Sequence, residues 1–158
     1  MWYLLLIAAL IGIDQLVKFL VVENFQLLES IEIWNFIHLT YIQNTGAAFG
    51  ILEGAQIAFL IFNALLVAVV LFLWKKPFMG RYKLSVSLII AGALGNCIDR
   101  LFRGYVVDFI DLTYWPVFNI ADIAVVCGTI LLAIMIFTAK EDELPSFGKK
   151  VTKEKKSK

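Results

Sequence analysis

The sequence is short of the side chains on which most hydrolytic and metal sites are built. His38 is the only histidine, and the two cysteines, Cys97 and Cys127, stand alone with no CxxC pair and no histidine cluster beside them. Neither a metal centre nor a disulfide framework is expected from such a pattern. Charge is scarce as well. Only 17% of the 158 residues are charged while 61% are hydrophobic, and the mean hydropathy of +0.84 is outside what an ordinary soluble domain shows. Cations are missing altogether from Glu23 to Gln56, a stretch that nevertheless contains Glu23, Glu29, Glu32 and Glu53.

What is present is apolar sequence in long runs. An apolar helix needs about 20 residues to cross the hydrocarbon of a bilayer, and four stretches approach that length: 3–22, 57–74, 84–102 and 119–138. The expected fold class is an all-α integral membrane protein with four transmembrane helices and a small extracytoplasmic β-rich segment, about 23–56, between helices 1 and 2. Residues 1–139 form a single polytopic membrane domain, which leaves no room for a separate soluble catalytic domain. The first run is expected to be retained, because it lacks a basic leader and carries Asp14 and Lys18 within the apolar stretch.

Orientation follows from the cations. Lys75, Lys76, Arg81 and Lys83 follow the second run, and seven lysines lie between residues 140 and 158. The positive-inside rule puts both groups, and with four spans both termini, on the cytoplasmic side. Residues 140–158 are expected to be a disordered Lys-rich cytoplasmic tail. Residues 23–56 and 103–118 then face outward. In the first of these, Ile31, Ile33, Ile37, Leu39 and Tyr41 alternate with polar residues as short strands do. Phe25, Trp34 and Phe36 suit a segment lying on the outer membrane face. Asn44-Thr45-Gly46-Ala47-Ala48-Phe49-Gly50 follows, small enough for close backbone approach and equally readable as a turn into the second span.

A charge at the bilayer centre costs about 2.5–3.5 kcal/mol on insertion scales, so each one asks for a reason. Asp14 and Lys18 are spaced i,i+4 in the favourable order and read as a neutralising pair. Asn96 and Arg100 share one face of the third span, and Gly92, Ala93 and Gly95 invite a second helix to approach. Asp122 opens the fourth span three positions after Asn119. It is either the return arm of a helix cap or a carboxylate kept at the membrane edge for chemistry. Asp108, flanked by Val106, Val107, Phe109 and Ile110, lies 14 positions earlier in the outer connection, so the two aspartates can meet near the outer surface.

Two adjacent carboxylates do not readily ionise together. One keeps a proton while the other stays charged, the division of labour of an aspartic protease. The charged partner activates water, and the protonated one donates to the scissile carbonyl. A Ser-His pair is not expected, since Ser85 and Ser87 lie at the opposite end of the third span from His38.

Five blocks in order resemble the prokaryotic lipoprotein signal peptidases, or signal peptidase II: Asp14-Gln15-Leu16-Val17-Lys18; Asn44 to Gly50; Gly92-Ala93-Leu94-Gly95-Asn96 with Asp99-Arg100; Val106-Val107-Asp108-Phe109; and Phe118-Asn119-Ile120-Ala121-Asp122. The resemblance covers nearly the whole chain except the tail. It implies that Asp108 and Asp122 are the catalytic aspartates. Asn44, Gly46, Asn96, Arg100 and Asn119 would line or support the site, with Asp14 and Lys18 as structural support. It also implies a precursor substrate whose signal peptide is cut just before a diacylglyceryl-modified cysteine. Beyond that substrate, membrane lipids are the expected partners, one copy is expected to suffice, and no cofactor, metal or nucleic acid is expected. Asp111, outside the shared blocks, reads as a solvated loop carboxylate. The competing readings are a proton- or ion-coupled transport component, whose acids should succeed one another in depth, and a noncatalytic factor that only binds lipoproteins.

Overall fold

The computed structural model describes residues 2–46, 56–76 and 78–139. Residues 47–50 of the second shared block and the Lys-rich tail fall outside these. The order of elements is α1 (Trp2–Asn24), β1 (Ser30–Trp34), β2 (Ile37–Asn44), α2 (Gln56–Leu73), α3 (Met79–Phe102), β3 (Val106–Asp111) and α4 (Ile120–Phe137). Among the described residues, α1, α3 and α4 are long and apolar enough to cross a membrane, and α2 contains a shorter apolar stretch, Leu60–Phe72. The four apolar runs coincide with these helices except at the start of the third, and three of the four have the length and apolarity of a span. That helix begins at Met79 rather than 84: Met79 and Tyr82 are buried on its first turns, while Arg81 is exposed and Lys83 half-buried on the other side.

The helices differ in how they are used. More than half of the apolar window of α3 is buried (56%), against 17% for α1 and for α4, so α3 is the central helix and the others turn most of their surface outward. On α1 the buried residues are Asp14, Lys18 and Val21, a stripe at helical spacing. Leu4, Leu5, Ile13, Leu16 and Leu20 point away, while Ile7 packs against the core. In a lipid environment apolar burial gives little drive to helix association, and close contact between small residues takes over. Gly92 and Gly95 of α3 and Gly128 of α4 show this. A Cβ on Gly92 would run into the carbonyl oxygen of Ala121, one on Gly95 would come within 2.9 Å of Asp14 Oδ2, and one on Gly128 within 2.7 Å of the Ser85 carbonyl oxygen.

The β-rich segment expected between helices 1 and 2 forms two strands and is joined by a third from outside it. β1 and β2 pair antiparallel around Asn35 and Phe36, with Asn35 at φ 44°, a left-handed conformation that asparagine tolerates in tight turns. A third strand joins from 62 positions downstream (Val106 after Asn44): β3 pairs antiparallel with β2, giving the order β1-β2-β3. The connection between α3 and α4 is therefore part of the sheet. Asp111 accordingly ends a strand, half-buried, and accepts from Thr40 Oγ1 at 2.8 Å and from the Thr113 amide at 2.8 Å. It is not a solvated loop residue, because pairing with β2 draws it into the sheet. Val21, Tyr41, Val107 and Phe109 bury the underside of this sheet against α1. A second cluster, Val70, Met79, Tyr82, Val86 and Ile90, packs α2 on α3.

Candidate active site

Strand pairing and one helix start bring the two aspartates together. In the ladder Asn44 faces Val106 and Ile42 faces Asp108, so Asn44 and Asp108 are diagonal neighbours within side-chain reach. Asn44 Nδ2 donates to Asp108 Oδ2 at 2.8 Å. Asn44 is held in turn by the Gly46 amide, which donates to its Oδ1 at 2.9 Å. From the other side Asn119 Nδ2 donates to Asp108 Oδ1 at 2.6 Å.

Asn119 also caps α4. Its Oδ1 accepts from the Asp122 amide at 3.0 Å, and Asp122 Oδ2 accepts from the Asn119 amide at 3.1 Å, completing a capping box. The capping role and the placement beside Asp108 are thus one arrangement, since the cap is what fixes Asp122 next to a side chain already bound to Asp108. Asn96 reaches Asp122 from α3, donating from Nδ2 to Oδ1 at 2.8 Å. Asp108 is buried and Asp122 half-buried. Burial, and next the neighbouring Asp122 charge, push the Asp108 carboxyl up from 3.8 to about 7. The hydrogen bonds from Asn44 and Asn119 and the Lys18 charge oppose this rise.

Arg100 lies beside this group, with its guanidinium donating to the Gly46 carbonyl at 3.3 Å and to the Asn96 carbonyl at 3.5 Å. The arginine thereby ties α3 to the chain leaving β2. A recess of about 330 Å³ opens next to Asp122, lined otherwise by Leu112, Trp115, Phe118, Ile123, Val126 and Cys127. Apart from Asp122, its walls are apolar.

Asp14 and Lys18 form more than a helical pair. Lys18 Nζ, fully buried, lies 2.9 Å from Asp14 Oδ2, 2.9 Å from Asp99 Oδ2 and 2.9 Å from Asn96 Oδ1. The three donors of the ammonium therefore meet three acceptors. The carboxylates continue outward. Asp14 Oδ1 accepts from the Ala121 amide at 2.9 Å, and Asp99 Oδ2 from the Val107 amide at 3.2 Å, so the cluster holds the backbone next to both Asp122 and Asp108. Gln15 and Arg103 complete it, at 3.4 and 3.3 Å from Asp99 Oδ1. Asp99 is the residue the sequence reading undervalued. Its signal was available in the spacing of Gly92, Asn96, Asp99 and Arg103, which all fall on one face of α3.

All nine of the sequence-derived site residues are in the described part and are brought to one end of the helices, around the junction of α1, α3, β3 and the start of α4. No group of three or more His, Cys, Asp or Glu side chains suited to a metal occurs among the described residues.

In architecture this is a membrane enzyme. A bacterial membrane enzyme solved in meso at 2.3 Å superposes with a TM-score of 0.80 at 33% identity, covering 90% of this chain and 94% of that one. A second, solved at 1.9 Å, gives 0.79 at 32% identity over 87% and 94%. The family model described as signal peptidase (SPase) II matches residues 6–138. The lipoprotein signal peptidase of Halothermothrix orenii is 45% identical over 135 residues, 84% of this chain and 93% of that protein. That of Lactococcus lactis subsp. lactis is 46% identical over 142 residues, 86% and 95%. The chain belongs to the signal peptidase II family and is a membrane peptidase.

Proposed function

We propose that this peptidase is an aspartic endopeptidase whose dyad is Asp108 and Asp122, and that it removes signal peptides from diacylglyceryl-modified prolipoproteins just before the lipidated cysteine. The observation that carries the reading is the sharing of Asn119 between the two carboxyl groups: its side-chain NH2 donates to Asp108 and its backbone N–H to Asp122, which couples a buried aspartate on a strand to an aspartate on the first turn of a helix. Asp108, titrating near 7, holds the proton and donates to the scissile carbonyl. Asp122, at the positively polarised start of α4, carries the charge and takes a proton from the attacking water. The tetrahedral intermediate then collapses with transfer of a proton to the leaving amine. No covalent intermediate is needed.

The substrate already resides in the bilayer, so only its scissile peptide has to reach polar surroundings. The apolar recess beside Asp122 suits the acyl portion. In this reading α2 is a fourth span, both termini are cytoplasmic, the sheet lies on the outer face of the bacterial cytoplasmic membrane, and one copy suffices. A proton-relay function is disfavoured because the next acids inward, Asp14 and Asp99, are both bound to Lys18.

The test is processing of a lipidated precursor by purified, reconstituted protein, followed by gel mobility with the unlipidated precursor as control. Asp108→Asn and Asp122→Asn are expected to insert normally and leave the precursor uncut. Normal processing by either variant would remove the dyad.

A further inference from the structure

Each amide facing the two aspartates could in principle present either its NH2 or its oxygen. An oxygen turned toward a carboxylate would repel its negative charge and cost the carboxyl one of its two donors. In this structure the choice is made for each amide by a group on its other side that can only donate. The Gly46 amide fixes Asn44 through its Oδ1, and the Asp122 amide fixes Asn119 in the same way. The third is Asn96, whose Oδ1 accepts from Lys18 Nζ at 2.9 Å while its Nδ2 faces Asp122. An ammonium has no acceptor, so Asn96 cannot reverse without setting its NH2 against a cation. Asn96 Oδ1 also accepts from Asn119 Nδ2 at 3.1 Å, so the same oxygen receives both neighbours.

We propose that Lys18 is a positioning residue for the peptidase reaction, acting through Asn96: it locks the polarity of the Asn96 amide so that a donor always faces Asp122. Asn44 and Asn119 are locked by backbone amides, whereas the Asn96 oxygen is held by side chains, the Lys18 ammonium at 2.9 Å and the Asn119 NH2 at 3.1 Å, of which the ammonium is the charged and closer donor. The inference rests on the dyad reading, since it assigns Lys18 a role only if Asp122 takes part in the chemistry. It also accounts for the position of the cation. A pair that merely neutralised Asp14 would need no contact with Asn96. Here the ammonium is shared among Asp14, Asp99 and Asn96, three residues whose other contacts run to Ala121, Val107 and Asp122.

The experiment is a double-mutant cycle in kcat on the reconstituted full chain with a lipidated precursor, using Lys18→Met, Asn96→Ala and the double variant. A hydrogen bond to a charged group is at stake, so each single variant is expected to lose about tenfold to a hundredfold in kcat with KM nearly unchanged. The double variant is expected to be no worse than the weaker single, because Lys18 has nothing left to act through. If Lys18→Met instead lowers kcat by the same factor whether or not Asn96 is present, its role is structural and the proposal is overturned. Should Lys18→Met fail to fold with two buried carboxylates left behind, the same cycle is run on Lys18→Met/Asp99→Asn. That pair removes one carboxylate together with the ammonium and keeps an amide oxygen for the Val107 N–H. Asp122→Asn, assayed alongside, separates the two ideas. If it is inactive while the cycle is additive, only the Lys18 role is lost. If it is active, the dyad reading fails.

Discussion

Replacing Asp108 by asparagine should stabilise the protein at high pH while removing its activity. The carboxyl titrates near 7 in the folded chain against 3.8 for a free one. A raised folded pKa means that folding favours the protonated form. Its contribution is fully present below the unfolded value and is lost as pH rises through 7, where the buried group must ionise or the chain must unfold. The full span is about 4 kcal/mol, at about 1.36 kcal/mol per unit, and about 3 kcal/mol of it falls between pH 4.5 and 8.5. Asp108→Asn abolishes this term. It introduces a pH-independent cost of about 1–3 kcal/mol, since Asn44 Nδ2 and Asn119 Nδ2 both donate to the carboxyl and an amide can accept from only one of them. The variant should therefore be less stable than the parent at pH 4.5 and equal or more stable at pH 8.5. Thermal unfolding of both proteins in the same detergent reads this directly, with a relative Tm change on the order of 10 °C across the range. A Tm difference that stays constant from pH 4.5 to 8.5 would refute the assignment of a buried, proton-holding carboxyl to Asp108.

Three further outcomes concern the frame around the site and the choice of its carboxylates. Gly92→Val should lower Tm and processing together, at about 1–3 kcal/mol or more, because the added carbons meet the Ala121 carbonyl and Val125 Cγ2 and push the first turn of α4 off α3. Gly12→Ala, where a Cβ meets nothing within 4 Å, is the matched control and should stabilise by up to about 1 kcal/mol in the same melt. Asp111→Asn should keep most processing activity in the gel assay, since Asp111 bonds Thr40 and Thr113 rather than the dyad. Loss of cleavage there alone would mean that Asp108 was given the wrong role.

The helices were readable because a long apolar run carries its own length, and the membrane makes that length meaningful. The clustering of polar residues was readable for a related reason: in so apolar a chain Asn96, Arg100, Asp108 and Asp122 have few places to go. What local sequence could not supply was partnership at a distance. Val106–Asp111 is six residues long and becomes a strand by pairing with Ile37–Asn44, a pairing that no local pattern encodes. Asp111 was misjudged for the same reason. Lys18 looked complete with Asp14 four residues away, and its contacts to Asn96 and Asp99 appear only when α1 and α3 are side by side. Asp122 posed a choice between a cap and a chemical group, and the choice was false, because the cap residue Asn119 is itself bonded to Asp108.

The buried cation on α1 also bears on how the chain is made. Asp14 and Lys18 leave the ribosome long before Asp99 and Asn96, and until the third helix arrives they have only each other and Gln15. Each charge would cost about 2.5–3.5 kcal/mol facing lipid, so α1 enters the bilayer as an unfinished helix whose last ionic partner is still being synthesised. Biogenesis and site assembly are then a single event. A nascent chain that ends before α3 has neither Asp99 nor Asn96 for Lys18 to meet, and so lacks the scaffold that brings the two aspartates together.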